Sequence, residues 1–375
     1  MASAIIGRVS VPPHPALPAG HPLRRAGTEE SLLLRNYRGQ RTVQRPIWFM
    51  RQAGRSLPEY RRLRAGSTML EACLAPELAA EITLQPVHRH RVDAAIYYSD
   101  IMVPVLLAGV EVDIVPGTGP VIAHPIRSPA DVAALPELDP AALAPISAGV
   151  TLACDELGGT PLIGFAGGPF TVASYLVEGR SSRTWRHTRA LINDDPDSWH
   201  RLAGWVARIG VAFLRAQVLA GASAIQLFDS WIGALPAAEY TASIQPHSAW
   251  LLGQLAELGI PRVHFGARTG HLLPELASVG ADVLGIGTDI DLIRARKVLG
   301  PDVPLQGNID PELLTAQWPV LSAHVYQVVL AGRGSSGHVV NLGHGVPKDT
   351  DPDVLTRIVE LVHSLGDDDA DEGER

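Results

Sequence analysis

Lysine is nearly missing from this chain. Of its 31 Lys and Arg residues only Lys297 and Lys348 are lysine. The first stands in the charged stretch RARKVLG and the second in the loop GVPKDTDP. Neither has the apolar surroundings that would desolvate an amine for Schiff-base or pyridoxal chemistry. Cysteine is equally scarce: Cys73 and Cys154 form no CxxC pair and no disulfide framework. Aromatics make up 5% of the residues, and no apolar run approaches the ~20 residues a membrane-spanning helix requires. The opening MASAIIGRVSVPPHPALPAGHPLRR has neither the basic region nor the sustained apolar region of a secretory signal. A cytoplasmic protein without membrane attachment is expected. A basic field is missing too: 31 cations against 39 acids give a net charge of −8, which argues against nucleic acid as partner. An anionic substrate has to be held by a local cation cluster working against that background.

What is present points to one large core. Hydrophobic residues reach 46% in 375 residues, enough for a single (β/α)8 barrel of about 250 residues or more. Residues 1–30 are rich in Pro and Gly without periodicity and read as a flexible arm. The last residues, 366–375, read as a short acidic tail. Between them, over 31–365, lie eight apolar runs: 46–50, 94–100, 161–167, 224–230, 262–267, 283–288, 303–308 and 338–344. Amphipathic stretches at 75–91, 197–220, 237–258, 271–279, 290–299 and 311–331 read as helices, and 111–126 as a β-hairpin. Apolar strands alternating with helices fit a closed parallel sheet buried on both faces. An open doubly wound sheet would want a GxGxxG after the first strand, and none is there.

Barrel enzymes keep their chemistry where the strands end. The first run leads into Arg51, Gln52, Ala53, Gly54 and Arg55, the second ends at Asp100, the fourth at Asp229 and Ser230, and the last at His344. Two guanidiniums on one loop can fork-bind carboxylates or phosphates; they can equally be solvated or bridge to Glu59. Asp100 can stabilise positive charge or cap the segment that follows it. Asp229 and Ser230 read as a catalytic pair or as a strand-end cap. The HRHR run at 88–91 reads as a solvated helix end, and GFAGGPF as a glycine-rich turn that fits neither a P-loop nor a Rossmann fingerprint. Gly343 and Gly345 around His344 favour close approach of a ligand.

PIWFMRQAGRSLPEYR (46–61) and GFAGGPFTVASYLVEG (164–179), followed in order by QLFDSW, LQGNIDP and NLGHGVP, resemble the signatures of the uroporphyrinogen decarboxylase family over roughly 30–365. The resemblance implies a TIM barrel, a homodimer with facing clefts, and no cofactor or metal. It implies removal of CO2 from the four acetate side chains of uroporphyrinogen III to give coproporphyrinogen III in haem biosynthesis. Carried over residue by residue, Asp100 takes the pyrrole N–H groups and offsets a cationic intermediate. Arg51 and Arg55 bind carboxylates, Arg51 being assigned with Asp100 to the chemistry, although a guanidinium is a poor acid. Gln52, Ala53, Gly54, Tyr175, Ser230 and His344 complete the expected substrate contacts.

The chain also departs from the pattern. Ser56 replaces a tyrosine, Gly168 and Phe170 stand where Ala and Trp are usual, which would widen the pocket, and Gly287–Thr288 replace an Asp-Trp pair. Two other readings stay open. Cobalamin-linked methyltransferases carry a His-x-Cys zinc pair, here His264–Phe265–Gly266 with the cysteine missing. A tetrapyrrole-binding paralogue without activity is the second.

Overall fold

The computed structural model describes residues 16–25 and 27–366. Its strands are β1 (Ala95–Ile96), β2 (Val112–Val115), β3 (Gly119–Ile122), β4 (Leu162–Gly167), β5 (Ala224–Phe228), β6 (Arg262–Phe265), β7 (Val283–Gly285), β8 (Leu305–Gln306) and β9 (His338–Val339). Seven of them form one parallel sheet in the order β1-β4-β5-β6-β7-β8-β9, and β2 pairs antiparallel with β3 as the expected hairpin. Each neighbour in the sheet is the next barrel strand in the chain, so every crossover is local.

The stave expected at 46–50 closes the ring without being a regular strand. Trp48 N–H donates to the Val340 carbonyl (3.3 Å) and Asp93 N–H to the Ile47 carbonyl (2.8 Å), which links β9 to β1. The remaining amides of this segment bond to side chains: Ile47 N–H to Asp93, Phe49 N–H to Gln52 and Met50 N–H to Asn341. Pro46 has no N–H to give. A ladder cannot form, only the isolated bridge Ile47↔Val340. The chain is a (β/α)8 TIM barrel whose first stave is pinned by side chains.

The helical readings hold at 75–91 and 197–220, observed as Pro76–His90 and Pro196–Ala220. The latter is long and apolar enough to cross a membrane by length and composition, yet 61% of its apolar window is buried inside the protein. The stretch 237–258 breaks into Ala237–Ser243, Gln245–Gly253 and a 3-10 turn. Ile244 leaves helical geometry one residue before Gln245–Pro246 start the next helix, where proline fits the first turn. At 88–91 the expected solvated helix end holds for His88, Arg89 and Arg91, which are exposed, Arg89 pairing with Glu59; His90 alone departs from it, buried and bonded to Thr356 Oγ1 (2.8 Å).

Of the arm expected over 1–30, residues 1–15 lie outside the described residues. Residues 16–25 are anchored at three points, most of the others being exposed: Leu17 and Leu23 are buried, and His21 Nε2 bonds the Val218 carbonyl (2.9 Å) on the long helix. The Pro- and Gly-rich composition concealed three anchoring side chains. Most of the acidic tail, 367–375, also lies outside the described residues.

Inside the barrel, polar side chains cross the core in one connected set. Tyr37 Oη donates to Gln306 Oε1, Trp48 Nε1 reaches both (3.2 Å each), and Gln306 Nε2 donates to Gln226 Oε1 (3.0 Å). Each buried amide and hydroxyl thus regains a partner, without which its burial would cost free energy.

Candidate active site

The strand ends open into one cleft of about 620 Å³, walled by the 51–69 segment, by residues 114–120 of the hairpin and by the loop 344–348. Its floor is apolar. Phe165, Phe228 and Phe265 lie on three neighbouring strands, with ring centroids 5.5 and 6.0 Å apart and near-perpendicular planes. The parallel register sets Phe265 beside Phe228, so inward-facing positions line up as a row. Such a row gives the cleft an aromatic, water-poor floor.

Charge in the cleft is lopsided. Arg51, Arg55, Arg64 and Lys348 line it, and Asp100 is the one carboxylate among the lining residues. Four cations around a single acid, on a chain of net charge −8, form the local cluster that a polyanionic substrate demands. Arg51 adopts a left-handed backbone (φ 63°), a conformation that a long side chain holds only when its surroundings enforce it. Gly345 allows that: a Cβ there would lie 2.5 Å from Arg51 Cδ. Glu59 does not tie up either expected arginine, because its carboxylate is forked by Arg89 at 2.6 and 2.8 Å.

Asp100 stands at the inner wall. Its Oδ1 accepts the Met102 N–H (2.9 Å), so the capping role is real. Burial pushes its carboxyl up, opposed by that N–H and by the Arg51 charge. Among the described residues the second oxygen has no hydrogen-bond donor, and it remains available to a ligand. Tyr175, on the helix Pro169–Glu178, stacks on Trp231 with centroids 4.3 Å apart, and burial pushes its hydroxyl up to about 12. His344 Nδ1 accepts the Gly345 N–H (2.8 Å), which leaves the proton on Nε2. Enclosure by the cleft walls, then the charges of Arg51 and Arg268, disfavour its imidazolium. It is a neutral donor facing the cleft.

Of the expected site residues, Arg51, Ala53, Gly54, Arg55, Asp100, Tyr175, Ser230 and His344 meet at this cleft. Gln52 does not. Its side chain is fully buried, accepting from Phe49 N–H and donating to the Ala94 carbonyl (3.0 Å each), so it braces the first stave. Asp229 resolves as a cap: it accepts from Phe170 N–H, Thr171 N–H and Thr171 Oγ1 at the start of the Tyr175 helix. The expected pocket widening at Gly168 and Phe170 is corrected as well. A Cβ at Gly168 would meet the Asp229 carboxylate at 2.3 Å, and Phe170 is buried against Trp199. Both serve the cap and the core.

Arg64, Tyr60 and the three phenylalanines also line the cleft, as does Lys348, which the sequence marks only as a loop residue. Arg64 sits at the end of the helix Pro58–Leu63 and over the Tyr60 ring, thirteen residues past Arg51, where nothing local marks it. For the zinc pair, His264 is fully buried, neither ring nitrogen has a partner among the described residues, and burial lowers its titration to about 4. A Cβ at Gly266 would meet Thr269 and Ile232 at 2.7–2.9 Å, which leaves no room for a cysteine. Among the described residues no three His, Cys, Asp or Glu side chains converge as metal ligands.

A TIM barrel with an apolar floor and a cationic rim around one carboxylate defines an enzyme of polyanionic substrates. The uroporphyrinogen decarboxylase model matches residues 28–365, and the chain belongs to the uroporphyrinogen decarboxylase family. It is 56% identical over 338 residues to the uroporphyrinogen decarboxylase of Arthrobacter sp. (strain FB24), covering 90% of this chain and 98% of the relative. To that of Salinispora tropica it is 52% identical over 353 residues, covering 94% and 92%. A solved methyltransferase from Methanosarcina mazei superposes with a TM-score of 0.74 at 17% identity, over 90% of this chain and 99% of that one; this likeness shows the fold alone.

Proposed function

We propose that this cleft converts the four acetate side chains of uroporphyrinogen III to methyls, giving coproporphyrinogen III and CO2 in haem biosynthesis, with Asp100 offsetting the charge that develops on the ring. The observation that carries this reading is the lone carboxylate among Arg51, Arg55, Arg64 and Lys348 above an aromatic floor.

The chemistry sets the requirements. Each turn replaces a C–CO2⁻ bond by a C–H bond and consumes one proton. Breaking the bond directly would strand an electron pair on carbon. Protonation of a pyrrole carbon first turns the ring into an acceptor for that pair. CO2 then leaves, the exocyclic carbon takes a proton to become a methyl, and the ring gives back the first one. The cationic ring needs a fixed negative group close by, preferably one that needs no reorganisation. The free oxygen of Asp100 meets that need and can accept the ring N–H groups.

Arg51, Arg55, Arg64 and Lys348 hold the peripheral carboxylates, and Arg51, nearest Asp100 in its electrostatic effect, acts as a fixed charge on the reacting acetate. A guanidinium keeps its protons too firmly to serve readily as an acid. Tyr175, Ser230 and the Nε2–H of His344 supply neutral hydrogen bonds that turn the macrocycle in its seat.

Arg55 tests the binding half of this reading. It is exposed in the free protein, but a carboxylate bound to it in the cleft becomes partly desolvated. Arg55→Ala is expected to lower kcat/KM by the equivalent of about 2–5 kcal/mol. Steady-state kinetics with uroporphyrinogen III check this, and an unchanged kcat/KM would make Arg55 a solvated bystander.

A further inference from the structure

The loop after β7 reads Ile286–Gly287–Thr288–Asp289, with glycine and threonine where the family pattern has an Asp-Trp pair. A Cβ at Gly287 would lie 2.9 Å from Asp289 Oδ1 and 3.3 Å from the Arg268 backbone nitrogen. The Asp289 carboxylate thus stands in the space a side chain at 287 would enter. Its other oxygen, Oδ2, accepts the Gly270 N–H at 2.8 Å. The loop itself is tied down by Asn308, whose Nδ2 donates to the Gly287 carbonyl (2.9 Å) and the Ile290 carbonyl (2.7 Å).

Two residues before Gly270 is Arg268, exposed and left-handed at φ 59°. A long side chain on such backbone persists only where its neighbours fix the turn. Thr269 Oγ1 does so from one side by donating to the Gly266 carbonyl (3.0 Å), and Asp289 from the other. The loop also packs on the backbone next to His344: the Thr288 methyl lies 2.5 Å from where a Cβ at Gly343 would fall. The charge of Arg268 is felt at the His344 ring. Asp289 and the Arg268 turn are therefore tied together, and Thr288 joins them to the backbone beside His344, while the Arg268 side chain stands exposed just outside the cleft lining.

We propose that Asp289 is a positioning residue, whose carboxylate reaches back into the place of a side chain at 287, fixes the turn at Arg268, and so keeps that guanidinium beside His344 to take a carboxylate of the substrate. This rests on the reading of the cleft given above. Asp289 touches no reacting atom; Arg268 is the group it presents.

Kinetics with uroporphyrinogen III on wild type, Asp289→Ala, Asp289→Asn, Arg268→Ala and the double variant Gly287→Asp/Asp289→Ala test it, each variant first checked by thermal melt. Asp289→Ala is expected to raise KM ~10-fold with kcat within ~2-fold, as loss of uniform binding does. Asp289→Asn keeps an oxygen for the Gly270 N–H and should stay within ~2-fold of wild type in both constants. Gly287→Asp/Asp289→Ala returns a carboxylate from the neighbouring position and should recover most of the lost KM. Arg268→Ala should show the same KM rise, and adding Asp289→Ala to it should change little further, since the two act as one unit.

A wild-type KM in Arg268→Ala, or in a folded Asp289→Ala, overturns the proposal, as does a relocated carboxylate that rescues nothing. If Asp289→Ala does not fold, Arg268→Ala and Asp289→Asn decide alone. An inactive wild type would instead refute the decarboxylase reading, so the two failures are distinguishable.

Discussion

Asp100→Asn is expected to lose a factor of about 10²–10³ in kcat while folding as well as the wild type or slightly better. Both halves follow from one fact. The asparagine oxygen can still accept the Met102 N–H, so the local cap survives. What goes is the negative charge that the cationic ring requires. The sign of the stability effect follows from the direction of the shift. Burial raises the folded-state titration of Asp100 above its unfolded value, so the protonated form is the one the fold prefers. Its contribution to stability is complete in acid and is lost as pH rises through the folded value. At neutral pH the ionised group therefore costs stability, and the neutral amide removes that cost. Single-turnover rates beside thermal melts check the pair of results. Turnover at the wild-type rate would leave Asp100 a cap and nothing more.

Asp229→Ala is expected to give the largest loss of stability. The carboxylate is fully buried and serves Phe170 N–H (3.3 Å), Thr171 N–H (2.8 Å) and Thr171 Oγ1 (2.6 Å) at the start of the helix that carries Tyr175. Without it three buried donors lose their acceptor, at a cost of about 2–4 kcal/mol, read as a shift of the urea midpoint. An unshifted midpoint would mean that water replaces the cap at no cost. Asp229 also gives a pH signature. Burial pushes its carboxyl up to about 6, so the stability due to its protonated form is present in acid and declines as pH rises from the ordinary carboxylate range through that value. Above it the contribution is flat. Asp229→Asn should abolish that slope.

How much of this was legible in the sequence depends on whether a residue's job is local. The strand-end rule located Arg51, Arg55, Asp100, Ser230 and His344 because each lies within a few residues of an apolar run, where the barrel puts its mouth. Gln52 obeyed the same rule and still faces inward, because the turn after Met50 rotates its amide onto the Phe49 N–H and Ala94 carbonyl. Periodicity cannot reveal such a rotation. Arg64, Lys348 and the row Phe165–Phe228–Phe265 were hidden for another reason: their roles exist only through register and loop packing between distant segments. The first stave was counted correctly as an element but is no regular strand, since Asp93, Gln52 and Asn341 take the amides a ladder would use. The glycine at 287 reads as a loss in sequence. In space it is filled by Asp289.

The central claim is that the purified chain alone turns uroporphyrinogen III into coproporphyrinogen III. It is tested most directly by anaerobic incubation with uroporphyrinogen III and no added metal, then oxidation and chromatography of the porphyrins. The account predicts a ladder of intermediates that have lost one to four carboxyl groups, ending in the four-carboxylate product. Substrate that binds tightly and comes back with all its acetates intact would contradict it, and would make the chain a tetrapyrrole-binding relative without the chemistry.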